Sequence, residues 1–152
     1  MARFTTSAAA RTERTQEEIL VHGVIPLKTL IDSGEFIRMT RRGIPGTWLK
    51  RVVDETGLRD VFVSLMDVSS SKFSRLYQRK ALDKRKSEKV LDAVRLIVQA
   101  EQTWESRELA LQWLFSPIAA LGDERPIELF DTFEGRRLVS LVLDKIECGE
   151  FS

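Results

Sequence analysis

Ser70, Lys72, Arg75, Gln78, Arg79 and Lys80 fall between positions 70 and 80. Their side chains can donate hydrogen bonds to base edges and to phosphate oxygens. By geometry, arginine suits guanine, glutamine suits adenine, and lysine and serine suit the sugar–phosphate backbone. A helix over residues 71–80 turns these groups outward and puts Phe73, Leu76 and Tyr77 on the opposite, apolar side. Lys84, Arg85, Lys86 and Lys89 extend the same basic surface. Other chemistry finds no foothold. His22 is the sole histidine and sits among apolar residues, and Cys148 is the sole cysteine, with no histidine near it. Metal-ligand spacing is therefore absent. Gly43 and Gly46 flank a proline without the lysine of a phosphate-cradling loop. We expect no catalytic residue, no cofactor and no metal.

A steep crossing of two short helices around a tight turn would present that basic face. The first of the two runs from about Arg59 to Met66, and with Arg59 as position one, apolar residues occupy places four, eight, ten, fifteen and eighteen: Phe62, Met66, Val68, Phe73 and Leu76. That is the spacing of a helix-turn-helix core. Val63 at place five and Asp67 at place nine depart from the usual small residue and glycine, although aspartate tolerates turn geometry. Upstream, Gly43-Ile44-Pro45-Gly46 reads as a turn, with Thr47 capping a helix that Gly57 stops after Thr56. Downstream, Asp83 caps a long helix reaching about Trp104, with Val90, Val94, Ile97 and Val98 on one face. Residues 1–14 read as a weakly ordered arm. Residues 15–40 read as short pieces punctuated by Gly23 with Pro26 and by Ser33-Gly34, with a brief helix from Leu27 to Asp32.

The last third holds a different module. Ser106 caps Arg107 to Phe115, burying Leu109, Ala110, Trp113 and Leu114, and Pro117 ends it. Asp131 or Thr132 caps a final helix whose Val139, Val142, Leu143 and Ile146 keep helical spacing. Leu138 and Leu141 broaden its apolar face, which fits either burial by a second subunit or a central place in a small bundle. Gly149 terminates it. Glu150-Phe151-Ser152 follows, with its aromatic either a docked latch or a ligand for another protein's pocket.

Composition sets the outer limits. The chain has 152 residues, 43% hydrophobic and 31% charged, with a net charge of +1, as an ordinary globular protein does. That balance conceals polarity: residues 67–100 hold nine Lys/Arg against four Asp/Glu, and residues 101–152 hold five against eleven. A basic middle and an acidic end suggest two surfaces with different partners. No apolar run approaches bilayer length, the first residues lack a signal-peptide core, and a lone cysteine fits a reducing compartment. The expected location is the cytoplasm.

The hallmarks of the last third are Ala110, Trp113-Leu114, Pro117, Ala120-Leu121-Gly122, Pro126, Leu129, Asp131-Thr132, Gly135, Val139, Leu143, Ile146-Glu147 and Gly149. As a set they resemble the toxin-binding domain of the Xre/MbcA/ParS antitoxins, partners of RES-domain toxins. Gly43-Ile44-Pro45, Val68-Ser69, Arg75 and Ser87 add a softer upstream match. The resemblance implies an all-α fold. An N-terminal helix-turn-helix DNA-binding bundle would be joined by a long helix to a small helical toxin-binding domain. The corresponding divisions are 1–40, 41–104 and 105–152. It further implies a homodimer that binds operator DNA and neutralises an NAD-degrading RES toxin, with Glu147, Cys148, Gly149, Glu150, Phe151 and Ser152 blocking the toxin's active-site entrance. Tyrosine is common in the family where Cys148 stands, and an apolar residue where Glu150 stands. The other reading is a plain repressor whose C-terminal domain only dimerises.

Overall fold

The computed structural model describes residues 20–149; the arm at 1–14 and Glu150, Phe151 and Ser152 lie outside them. Helices dominate, as expected of an all-α chain. The sole sheet among the described residues is a hairpin of β1 (Leu20–Val21) and β2 (Ile25–Pro26), antiparallel, with Val21 opposite Ile25. His22 and Gly23 turn it with φ of 52° and 68°. Helix α1 (Leu27–Ile31) follows directly, close to its expected span.

Helix α2 (Ser33–Arg42) is a correction, because Ser33-Gly34 read as punctuation. The side chain of Asp32 caps it by accepting from the Glu35 amide at 2.9 Å, so the glycine falls inside a capped first turn. Helix α3 (Gly46–Thr56) begins at Gly46 behind Pro45, not at a Thr47 cap, and ends at Gly57 in the left-handed region. Helix α4 (Arg59–Met66) has the expected span. Helix α5 (Ser70–Leu76), capped by Ser69, is shorter than the expected 71–80. Helix α6 (Lys84–Trp104) starts at an Asp83 cap, as expected.

Helix α7 (Arg107–Leu114) is capped by Ser106. Its Ala110, Trp113 and Leu114 are buried, but Leu109 is 48% exposed, against the expected stripe. Two 3-10 turns, Ala119–Leu121 and Pro126–Asp131, lead to α8 (Phe133–Glu147). Of the two candidate caps, Thr132 does the work: its hydroxyl accepts from the Gly135 amide at 2.9 Å.

The centre is α6. Its Val90, Leu91, Ala93, Val94, Ile97 and Ala100 are buried, and it packs on α1, α2, α4, α7 and α8. The second 3-10 turn packs on α4. One continuous cluster of buried side chains thus runs from Val21 to Leu143. Packing on five helices is what makes the apolar surface of α6 broad.

Candidate functional site

The α4–α5 hairpin is built around Asp67, which ends α4 with φ 53° and ψ 47°. Aspartate is one of the few side chains that visit this left-handed region readily. Phe62, Phe73, Met66 and Leu76 are buried, and Val68 packs against the core at partial exposure. Each place of the expected spacing therefore faces inward. Phe73 meets Tyr77 edge-on at 5.5 Å.

Arg59 was missed in the sequence and holds this corner together. Its guanidinium donates to Ser70 Oγ at 2.9 Å, to the Ser70 carbonyl at 3.1 Å and to Ser74 Oγ at 3.1 Å. It also lies 5.3 Å from the Phe73 ring centre. The serine spacing at 70 and 74, one helical turn, was the available clue. Ser70 is thus already engaged within the hairpin.

Lys72 and Arg75 are exposed on α5, but Gln78, Arg79 and Lys80 lie beyond its end. Close approach of α3 explains the early stop. A Cβ on Gly46 would lie 2.1 Å from the Leu76 carbonyl oxygen, and the Gly46 amide donates to the Arg79 carbonyl at 2.9 Å. A Cβ on Gly43 would lie 2.3 Å from the Leu82 carbonyl oxygen. Buried Ser87 completes the clamp, accepting from the Ile44 amide at 3.0 Å and donating to the Leu82 carbonyl at 3.2 Å. Gln78, Arg79 and Lys80 are therefore carried on a pinned loop.

Among the described residues, no carboxylate lies within ion-pair distance of Lys72, Arg75, Arg79 or Lys80. Lys84, Arg85 and Lys86 occupy the first turn of α6, which has no acidic residue. Cations there oppose the helix dipole. Asp83 is the local counterweight. Its carboxylate accepts from Lys86 Nζ and from the Lys86 amide, both at 2.8 Å, and chiefly the first of these holds its carboxyl below the usual range.

The C-terminal module is fastened differently. Arg136, 7% exposed, donates through Nε to Asp92 Oδ2 at 2.6 Å and through Nη1 to the Phe130 carbonyl at 2.8 Å. Gln99 donates to Asp144 Oδ1 at 2.8 Å and accepts from Ser140 Oγ at 2.8 Å. These two cross-links, more than forty residues long in sequence, fix α8 against α6. A Cβ on Gly135 would lie 2.1 Å from the Leu129 carbonyl oxygen. Glycine is what lets the second 3-10 turn pack so closely. At the far end, Glu147, Cys148 and Gly149 are exposed, and Gly149 has φ 74°. Glu150, Phe151 and Ser152 fall outside the described residues.

His22 ties the N-terminal hairpin to this module. Arg107, always protonated, donates to His22 Nδ1 at 2.7 Å. The ring proton therefore sits on Nε2, which lies 3.1 Å from Glu101 Oε1 without hydrogen-bond alignment. His22 thus sits between two charged side chains, although its sequence neighbours are apolar. Among the described residues no group of three or more His, Cys, Asp or Glu is placed to hold a metal, and no helix is long and apolar enough to cross a membrane.

Residues 99–149 match the model of the antitoxin Xre/MbcA/ParS C-terminal toxin-binding domain. The match spans the end of α6, α7, both 3-10 turns and α8. The last third of the chain is thus similar to the toxin-binding domain of this antitoxin family. A protein of Sphingobium sp. (strain YBL2), described as "Prs ADP-ribosylating antitoxin", is 28% identical over 127 residues. That alignment covers 76% of this chain and 80% of the relative, so the similarity extends well upstream of the toxin-binding domain. Within the family match, Gly135 and Thr132 shape the start of α8, and Gly149 ends it. Two of the hallmark residues, Thr132 and Gly135, fix the start of the last helix.

Proposed function

We propose that the chain neutralises a toxin of the RES type through residues 105–152 and binds its own operator through residues 41–104. The observation that carries this is the fastening of α8 within a matched toxin-binding domain: Arg136 and Gln99 hold the helix that ends at Glu147, Cys148 and Gly149, which Glu150, Phe151 and Ser152 follow in the sequence. These six residues form the blocking tip. A pocket for the pyrophosphate of NAD needs cationic side chains, and arginine is the usual choice. Glu147 and Glu150 are suited to pair with them and close the entrance. The relative's name speaks of ADP-ribosylation, and ADP-ribosyl transfer draws on the same dinucleotide as NAD breakdown. Either toxin chemistry would be stopped by the same plug.

Removing residues 147–152 tests the tip. The shortened protein should leave the toxin free to consume NAD, while retaining contacts made elsewhere on the domain. Full protection of NAD by the shortened protein would overturn the assignment.

Operator binding rests on Ser70, Lys72, Arg75, Gln78, Arg79 and Lys80. Their support is the inward spacing of the hairpin core together with cations that no described carboxylate neutralises. A two-fold operator would match a homodimer. The competing reading, a repressor whose C-terminal domain only dimerises, draws on the exposure of Leu138 and Leu141 at 42% and 41%. Co-purification with the product of an adjacent gene separates the two.

A further inference from the structure

An apolar groove of about 620 Å3 opens beside the C-terminal end of α8. Trp104, Trp113, Ile118, Val142, Ile146 and Gly149 line it. The two tryptophan rings stand 6.4 Å apart, tilted by 39°. Among the described residues nothing charged lines this groove, and its size is that of a side-chain or small-ligand pocket. The Trp104 indole N–H is buried without a hydrogen-bond partner. Buried donors are nearly always satisfied, so this one calls for an acceptor that the described residues do not supply.

We propose that Phe151 of the same chain occupies this groove in the free protein, as a latch between Trp113 and Ile146. Gly149 is part of the groove wall, and its φ of 74° turns the chain at that point. Phe151 follows two residues later, so its Cα reaches at most about 7 Å from that of Gly149. It is the one aromatic residue after Phe133. A tether this short gives the ring a very high effective concentration at the groove and costs little in loop closure. No second copy or separate partner has that advantage. The same short segment brings carbonyl groups and the Glu150 carboxylate as acceptors for the orphaned indole. Aromatic pairs favour tilted and edge-on packing, which the Trp104–Trp113 arrangement leaves room for.

The latch needs no toxin, so it stands or falls apart from the proposed neutralisation. Phe151→Ala removes the ring beyond the last helix, where folding is not at risk. In 1H–15N spectra of the full chain, the Trp104 and Trp113 indole signals should shift, while the Trp48 signal, from α3, stays in place. The wild type should show nuclear Overhauser contacts from the Phe151 ring to Trp113 and Ile146. Ala120→Leu, at an exposed groove position, should abolish those contacts by filling the space. Unmoved indole signals in Phe151→Ala would overturn the latch. So would Phe151 contacts that persist in Ala120→Leu, or contacts that appear only between differently labelled chains, which would assign the groove to a second copy.

Discussion

The hairpin and the last helix are held by opposite kinds of contact. Helix α8 is fixed by buried and half-buried polar cross-links, Arg136 to Asp92 and Gln99 to Asp144 and Ser140. Helix α5 is fixed by Phe73 and Leu76, by the Arg59 clamp and by backbone contacts through Gly46. In the first region Arg136, Asp92 and Asp144 are consumed internally. In the second, Lys72, Arg75, Arg79 and Lys80 have no carboxylate partner among the described residues. Directional contacts specify an angle, and a helix that must aim a tip needs one. Apolar contacts and a pinned loop fix a shape while leaving the cations available to an outside anion.

Each region contains a glycine whose Cβ would lie 2.1 Å from a backbone oxygen, and these two give the largest expected effects. Gly46→Ala and Gly135→Ala both drive a Cβ to 2.1 Å from a backbone oxygen, where no flexible side chain can yield. Each should destabilise by about 3 kcal/mol, the upper end of overpacking costs, read from urea unfolding midpoints. Below the unfolding transition, Gly46→Ala should weaken operator binding and spare the toxin contact, and Gly135→Ala the reverse. Equal loss of both activities in both variants would show that the continuous core makes the two regions one functional unit.

Arg136→Ala comes next. It strips the buried partner from Asp92 and leaves the Phe130 carbonyl without its donor. Breaking a buried pair costs about 3–5 kcal/mol when the remaining charge is stranded. Asp92 keeps Arg95 at 2.6 Å, so the loss should be nearer 2 kcal/mol, with amide exchange in α8 rising more than in α4. Uniform loosening would mean that the cross-link does not act on α8 in particular. For the hairpin, Arg75→Ala should leave stability within about 0.5 kcal/mol, as exposed substitutions do, and reduce operator affinity by about 1–3 kcal/mol. A gel-shift titration with unchanged affinity would remove α5 from the interface.

Much of this was legible in residue types and spacing. The α4 span, the caps Asp83, Ser106 and Thr132, and the stops at Gly57 and Gly149 were readable because capping is local chemistry. The close approaches were not. Gly43, Gly46 and Gly135 looked like turn or helix residues, and only their neighbours from distant sequence show why no side chain fits. The early end of α5 has the same origin, because the α3 start occupies the space a longer helix would need. Gly34 misled in the opposite direction, since the Asp32 cap outweighs a glycine's poor helix propensity. The C-terminal domain could be placed from its set of hallmark residues, although the groove between Trp104 and Trp113 could not.

The smallest expected effect concerns the basic start of α6. Lys84, Arg85 and Lys86 sit at the positive end of the helix dipole, and Asp83 is the carboxylate that offsets them. Lys86 holds the folded-state pKa of Asp83 below its unfolded value. A lowered carboxylate pKa stabilises the fold above the unfolded pKa, about 3.9, and that contribution disappears as pH falls through the folded value. The side chain is 56% exposed, so solvent screening limits the effect to a few tenths of a kcal/mol. Asp83→Asn keeps a capping oxygen but loses the charge. Its thermal midpoint should lie slightly below wild type at pH 7, and the gap should close as pH falls through the folded-state pKa of Asp83. Raising salt at pH 7 should narrow the gap as well, since added ions screen the same three cations. A gap that stays constant with pH would mean that Asp83 acts through cap geometry alone. The basic turn would then be tolerated without local compensation.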